Sequence, residues 1–200
     1  YQAFLRENAE HAEALNLYGL CMHELGNFQK ADTLFSGAIK CDSEKSEFYQ
    51  NRGAARIDMG KTVEALADFE MGLSHDPNNF RCLLEAGRIS IDLQEIDKAI
   101  KFFEKAFEIT KDNESAIVGL SYSLSLRGLQ KALEKNYDGA ISDLKDALKL
   151  CPETWEILYN LGNAYLKSGN YHLARDHYEK ALELNNTNVD LLCNNGIASE

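Results

Sequence analysis

Residues 157–181 read Ile157-Leu-Tyr-Asn-Leu-Gly-Asn-Ala-Tyr165, then Leu-Lys-Ser-Gly-Asn-Tyr-His-Leu, then Ala174-Arg-Asp-His-Tyr178-Glu-Lys-Ala181. Leu158, Leu161, Gly162 and Tyr165 fall at i, i+3, i+4 and i+7, the spacing of one helix face. Ala174, Tyr178, Ala181 and Leu182 form a second such set. Between them lies Ser168-Gly169-Asn170-Tyr171, where glycine can close the first helix. The stretch therefore predicts two helices joined by a tight turn. Small residues (Gly162, Ala174, Ala181) let the two backbones approach, and an aromatic ring fills the space beside them.

Outward from this stretch the pattern returns. Glycine recurs at Gly19, Gly53, Gly87, Gly162 and Gly196, with Ser121 in the slot between Gly87 and Gly162. The steps 53 − 19, 87 − 53, 121 − 87 and 196 − 162 all equal 34, whereas 162 − 121 is 41. Ala31, Ala65, Ala99, Ala140 and Ala174 follow, each with a large residue four places on: Phe35, Phe69, Phe103, Leu144 and Tyr178. Three further on the residue is small again: Ala38, Gly72, Ala106, Ala147 and Ala181. Such self-similarity marks an array of supersecondary units that bury their apolar faces against one another.

The pattern resembles the tetratricopeptide repeat family, whose signature is W-x2-L-G-x2-Y, then A-x3-F, then P, with the same period. The resemblance covers essentially the whole chain. It implies an all-α fold, a right-handed α-solenoid of antiparallel helix pairs. Whole repeats are expected at 12–45, 46–79, 80–113, 114–154 and 155–188. Residues 1–11 read as the end of a preceding repeat's second helix, with Tyr1, Phe4 and Leu5 in its apolar slots. Residues 189–200 open a further first helix, with Leu192 and Gly196 in theirs. Both ends thus cut through a repeat, so the native protein is expected to continue beyond at least one of them. Three features depart from the family. Proline at position 32 survives only as Pro77 and Pro152, Arg52 and Arg56 stand where apolar residues are usual, and Ser121 replaces glycine. The fourth repeat is longer by seven (41 − 34), and this reading places the insertion between Ser121 and Tyr137. An insertion of that size is nearly two helical turns, so the first helix is expected to run to about residue 134, with Gly128 its weak point. The insertion reads as a tolerated change of length or as an edge that meets a partner.

Composition narrows the function. Lys and Arg number 21 against 32 Asp and Glu, a net charge of −11, which argues against nucleic acid as a ligand. No apolar run is long enough for membrane insertion. Five cysteines at 21, 41, 82, 151 and 193 contain no CxxC pair, so zinc spacing is absent. They are expected to be reduced and mostly buried, in a cytoplasmic or nuclear protein. There is no HExxH pair and no Gly-rich phosphate loop. Gly119-Leu-Ser-Tyr-Ser fails the nucleophile-elbow pattern at its last position. The chain is accordingly expected to be no enzyme and to use no cofactor or metal.

The family resemblance places repeat positions 2, 5, 6, 9 and 12 of the first helices along a concave groove. On that basis the candidate peptide-groove residues are Asn16, Asn51, Arg81, Arg88, Tyr122, Tyr159, Asn160, Asn163 and Asn194. Asparagine there can both donate to and accept from an extended peptide backbone. Glu13, Glu47, Glu85, Glu156 and Asp190 outnumber Arg81 and Arg88, so neutral or mildly basic segments are the expected ligands. A carboxylate clamp for a chaperone tail would need Asn16, Leu20, Asn51, Arg81 and Glu85. Leu20 cannot donate, and Glu85 would repel the carboxylate. The leading expectation is a protein–protein interaction scaffold holding a partner protein or peptide in the concave groove. The alternative is the substrate-recruiting arm of an enzyme whose catalytic domain lies outside these residues. End-to-end self-association is a further expectation, since exposed repeat ends can stack.

Overall fold

The computed structural model describes residues 2–186 and Asn194, with side chains from His11 onward. Ten α-helices and no strand occur among the described residues. They are α1 (Gln2–Glu24), α2 (Phe28–Cys41), α3 (Ser46–Asp58), α4 (Thr62–His75), α5 (Phe80–Asp92), α6 (Ile96–Ile109), α7 (Glu114–Leu133), α8 (Tyr137–Leu150), α9 (Trp155–Lys167) and α10 (Tyr171–Leu184). The chain forms two compact units, Tyr1–Leu93 and Gln94–Glu200. Within each unit every helix packs on its neighbour in sequence, and α1 also meets α3 as α7 meets α9. The fold is all-helical and repeating. None of the described helices is long and apolar enough to cross a membrane.

Local chemistry sets the helix ends. The side chains of Asn27, Asn79, Asn113 and Asn136 accept from backbone N–H groups three residues on, starting α2, α5, α7 and α8. The turns between paired helices need one left-handed residue. Gly26, Gly60 and Gly169 supply it at φ of 74°, 72° and 82°, where a side chain would be strained. Gln94 and Lys135 hold the same position at 62° and 63°. Each of the five stands seven places after a glycine: Gly19, Gly53, Gly87, Gly128 and Gly162.

Four of those upstream glycines mark close helix crossings. A Cβ on Gly19 would lie 2.6 Å from the Phe35 ring, on Gly53 2.9 Å from Phe69, and on Gly162 2.5 Å from Tyr178. Each ring belongs to the following helix, at a constant distance along the chain from its glycine. In the fourth repeat this role falls to Gly128, whose added Cβ would lie 2.9 Å from Leu144 and 3.3 Å from the Ala140 carbonyl. Ser121, assigned the glycine slot by spacing alone, is instead buried and donates its hydroxyl to the Ala147 carbonyl at 2.9 Å. The insertion therefore precedes Ser121 and forms 114–120, the N-terminal two turns of α7. The helix has 20 residues where α3, α5 and α9 have 13. The added turns are packed, with the Phe103 ring lying over Gly119 so closely that a Cβ there would be 2.3 Å away.

Two further expectations meet a different arrangement. Residues 2–24 form a single helix, with no turn near residue 12 where a preceding second helix was expected to end. The four described cysteines are free thiols, yet only Cys82 is buried, and Cys21 is exposed. Burial pushes the Cys82 thiol up to about 12. Positions 189–193 and 195–200, including Asp190, Leu192, Cys193 and Gly196, lie outside the described residues.

Arg52 and Arg56, the polar departures in the second repeat, have a common target. Asp68 accepts from Arg52 Nε and Nη2 at 3.0 and 2.6 Å and from Arg56 Nη1 at 2.8 Å, and Arg56 Nε also reaches Asp32 at 2.9 Å. The fourth repeat repeats the device. Asp143 accepts from Arg127 Nε and Nη2 at 2.8 and 2.9 Å and pairs with Lys131 at 2.7 Å, while Arg127 Nη1 reaches Asp97 at 3.2 Å. The Asp68 and Asp143 side chains are only 3% and 7% exposed. Carboxylates so placed persist because every desolvated oxygen is paired.

Candidate peptide groove on the first helices

The candidate residues fall into three groups. In the first unit, Asn51 Nδ2 donates to Asn16 Oδ1 at 2.9 Å, and Asn16 Nδ2 donates to Glu47 at 3.4 Å. Asn16 is 1% exposed, so these amides tie α1 to α3 rather than face a ligand. Beside them Lys45 pairs with Glu13, and that bond, outweighing some desolvation, raises the lysine's pKa. On α5, Arg81 is exposed, and Arg88 is held along its own helix by Glu85 at 3.0 Å and Asp92 at 3.7 Å.

In the second unit, Asn163 Oδ1 accepts from the Tyr178 hydroxyl at 2.8 Å and from Asn194 Nδ2 at 3.1 Å, and Asn194 also donates to the Tyr159 hydroxyl at 3.1 Å. These residues form an internal cluster like Asn16–Asn51. Burial, with Tyr159 adding to it, raises the Tyr178 pKa, so that its hydroxyl remains a donor.

Tyr122 and Asn160 behave differently. Both line a groove of about 400 Å³ between α7 and α9. Val118, Ser121, Tyr122, Ser125 and Leu129 form its α7 wall at i, i+3, i+4, i+7 and i+11, one helical stripe. Ile157 and Asn160 face them from α9, with Cys151, Thr154 and Glu156 at the margin. Val118 and Tyr122 are 50% and 53% exposed, an apolar surface open to a partner. The small serines leave room along the floor, and the Ser121 hydroxyl is taken by the Ala147 carbonyl. Asn160, partly exposed, makes no side-chain hydrogen bond to any described residue. The groove therefore offers apolar contact along one wall and a donor–acceptor amide on the other.

Sequence spacing missed Leu126 and Leu129 on this wall because it fixed the fourth repeat from Ser121. Counting back from the later landmarks would have found them. Twelve places before Ala140 is Gly128, and Pro152 at position 32 puts position 1 at Ser121. Positions 2, 5, 6 and 9 are then Tyr122, Ser125, Leu126 and Leu129, all of which line the groove.

Helix pairs recurring at a fixed period, with a glycine-to-ring crossing inside the hairpin, define a helical-repeat protein. Family models described as tetratricopeptide repeat match residues 1–45, 56–121 and 155–188, and one described as TPR repeat matches 128–169, beginning at the Gly128 crossing. The chain belongs to the tetratricopeptide repeat family. Among curated relatives, the BBSome complex member BBS4 of Bos taurus is 29% identical over 147 residues, 73% of this chain and 27% of its own length. The chain thus spans about a quarter of that relative. Among solved structures, YrrB, described as a TPR protein with an unusual peptide-binding site, superposes with a TM-score of 0.69 at 20% identity over 94% of both chains. The first TPR of Spaghetti (RPAP3), bound to the HSP90 peptide SRMEEVD, gives 0.55 at 19% identity over 57% of this chain and 91% of its own. At these identities the likeness is one of fold.

Proposed function

We propose that this chain is a protein-interaction scaffold, without chemistry of its own, whose α7–α9 groove holds a short extended segment of a partner protein. The observation that carries this reading is the pairing of an amide, Asn160, that has no side-chain hydrogen bond among the described residues with the exposed Tyr122 and Val118 across one narrow groove. An extended peptide needs backbone donors and acceptors satisfied and one or two side chains buried, and these residues supply both. Glu156 at the margin favours a neutral or mildly basic segment. The peptide complex of a structurally similar repeat domain supports a short peptide as the kind of ligand, although the peptide held there, SRMEEVD, is acidic.

Panning a displayed peptide library on the whole chain tests the proposal. Enriched peptides should lose about 30-fold in affinity on Tyr122→Ala, as a central aromatic anchor does. The loss on Asn160→Ala should be about fivefold, the value of one net hydrogen bond. Peptides that bind both variants as tightly as the parent place the ligand elsewhere and reject this groove.

A further inference from the structure

The first helix of each repeat turns positions 2, 6, 9 and 13 to one side, the spacing i, i+4, i+7 and i+11. On α7 these are Tyr122, Leu126, Leu129 and Leu133, an unbroken apolar stripe. On α1, α3, α5 and α9 both ends of the same stripe are charged: Glu13 and Glu24, Glu47 and Asp58, Arg81 and Asp92, Glu156 and Lys167. Tyr122, Leu129 and Leu133 are exposed, and Leu133, at 85%, is the most exposed large apolar side chain among the described residues. Contiguous apolar surface of this kind marks a place where a partner sits.

Across the groove α9 keeps the register with different chemistry. Glu156 and Asn160 share the cavity with Tyr122 and Leu126, and Glu156 is the one charged residue lining it. Lys167 follows Glu156 by eleven places (167 − 156), as Leu133 follows Tyr122 (133 − 122). Eleven residues make three turns and about 20°, so each pair keeps one bearing, about 16 Å apart along its helix. Glu156 and Lys167 are both exposed, and neither meets an opposite charge among the described residues. Between them Asn163 is closed onto Tyr178 and Asn194, which leaves the Asn160 amide as the polar group between the two charges. Neighbouring charges do not cancel this arrangement. Glu153, three places ahead of Glu156, has the same sign; Glu134 and Lys135, consecutive at the end of α7, offset each other; Arg127 and Lys131 are held by Asp143. One wall is therefore apolar throughout, and the other is acidic at one end and basic at the other.

We infer that the segment held between α7 and α9 alternates apolar and polar residues over about seven positions, with a cation at the end near Glu156 and a carboxylate at the end near Lys167. This rests on the groove reading above and adds the partner's chemistry to it. Successive side chains of an extended chain point to opposite sides, so apolar residues at alternate places lie along Leu126, Leu129 and Leu133 while those between them turn to α9. Two residues six apart in such a chain point the same way and stand about 20 Å apart, so long charged side chains at its ends reach both Glu156 and Lys167.

The probe is acetyl-Lys-Leu-Ser-Leu-Ser-Leu-Glu amide, titrated into the whole chain by calorimetry. Acetyl-Lys-Leu-Leu-Leu-Ser-Ser-Glu amide, of the same composition without the alternation, should bind the unaltered chain about tenfold more weakly, a comparison that needs no variant to fold. Leu133→Ser, on a side chain already open to solvent, should weaken the probe about tenfold. Lys167→Glu should weaken it about fivefold, and that variant should prefer the probe with lysine in place of its final glutamate. Equal binding of the rearranged peptide, or a Lys167→Glu variant that treats both endings alike, overturns the inference. So does failure of the probe to bind while library peptides still depend on Tyr122, a result that leaves the groove standing. Binding of the probe that ignores both Tyr122→Ala and Leu133→Ser rejects the groove and the inference together.

Discussion

Repeats two and four are built around the same charged contact, and they differ in what precedes it. Arg52, Arg56 and Asp68 correspond to Arg127, Lys131 and Asp143 at one constant offset: 127 − 52, 131 − 56 and 143 − 68 all equal two repeat periods plus the seven of the insertion. Each triad reaches back to one further aspartate, Asp32 or Asp97. Between the glycine crossing, the triad and the left-handed turn, the two hairpins share one internal register. Ahead of it, α3 starts at Ser46 with Asn51 closed onto Asn16, whereas α7 starts two turns early and leaves Val118 and Tyr122 uncovered. The hairpin core is thus a fixed cassette; the added turns contribute Val118 to the groove's α7 wall, and Tyr122, Ser125, Leu126 and Leu129 come from ordinary repeat positions.

The sharpest way to break this comparison is to test which residue holds the crossing in repeat four. Gly128→Val should cost about 3 kcal/mol, because β-carbon and methyls must displace Leu144 and approach the Ala140 carbonyl. Ser121→Ala should cost only about 1 kcal/mol, the bond to Ala147. Urea denaturation of both variants checks the assignment; the reverse order would return the slot to Ser121.

Next in size are the triads. Asp143→Ala and Asp68→Ala should each cost about 2 kcal/mol, less than the loss from breaking a fully buried pair because the cations keep some solvent contact. Equal losses on denaturant titration confirm equivalent cassettes. Arg127→Leu, Lys131→Tyr and Asp143→His made together, which installs the residues at the matching places in repeat five, should be near neutral. The Asp143 carboxyl also predicts an acid limb. Burial alone would raise its pKa, but hydrogen bonds from Arg127 and Lys131 outweigh burial and hold it below the ordinary value. Its contribution is complete above the unfolded carboxyl value near pH 4 and is lost as pH falls through the lower folded value. Asp143→Asn should flatten that limb in melting curves taken below about pH 4.

The smallest effect lies in the turns. Lys135→Gly should stabilise by about 1 kcal/mol, since a side chain is strained at its positive φ. Gly60→Lys should cost a similar amount, which thermal melts of both can compare.

Much of the architecture was legible because the period, the glycine crossings and the helix stripes are local patterns repeated in register. The fourth repeat misled because Ser121 stands where an uninterrupted count from Gly87 lands, and serine is small enough to suit the slot. Counting back from Ala140 or Pro152 points to Gly128 instead, and the side chain met on the following helix, Leu144, decides it. The engagement of the groove amides was not legible at all. Whether an asparagine is available depends on a residue a whole repeat away, as with Asn16 and Asn51 or Tyr159 and Asn194, and sequence does not say whether the two side chains close on each other. Arg52 and Arg56 looked anomalous for the same reason, their carboxylate lying on the next helix.

The length of the α7 overhang has its own consequence. A heptad at about 100° per residue comes within about 20° of two full revolutions, so everything upstream keeps its compass bearing. An addition of five would swing the same side chains by about 140° and turn Val118 away from α9. Ledges on such helices can therefore grow or shrink only in near-integral twists, and heptad-sized edits are the currency in which this surface can be remodelled without unseating the hairpin beneath it.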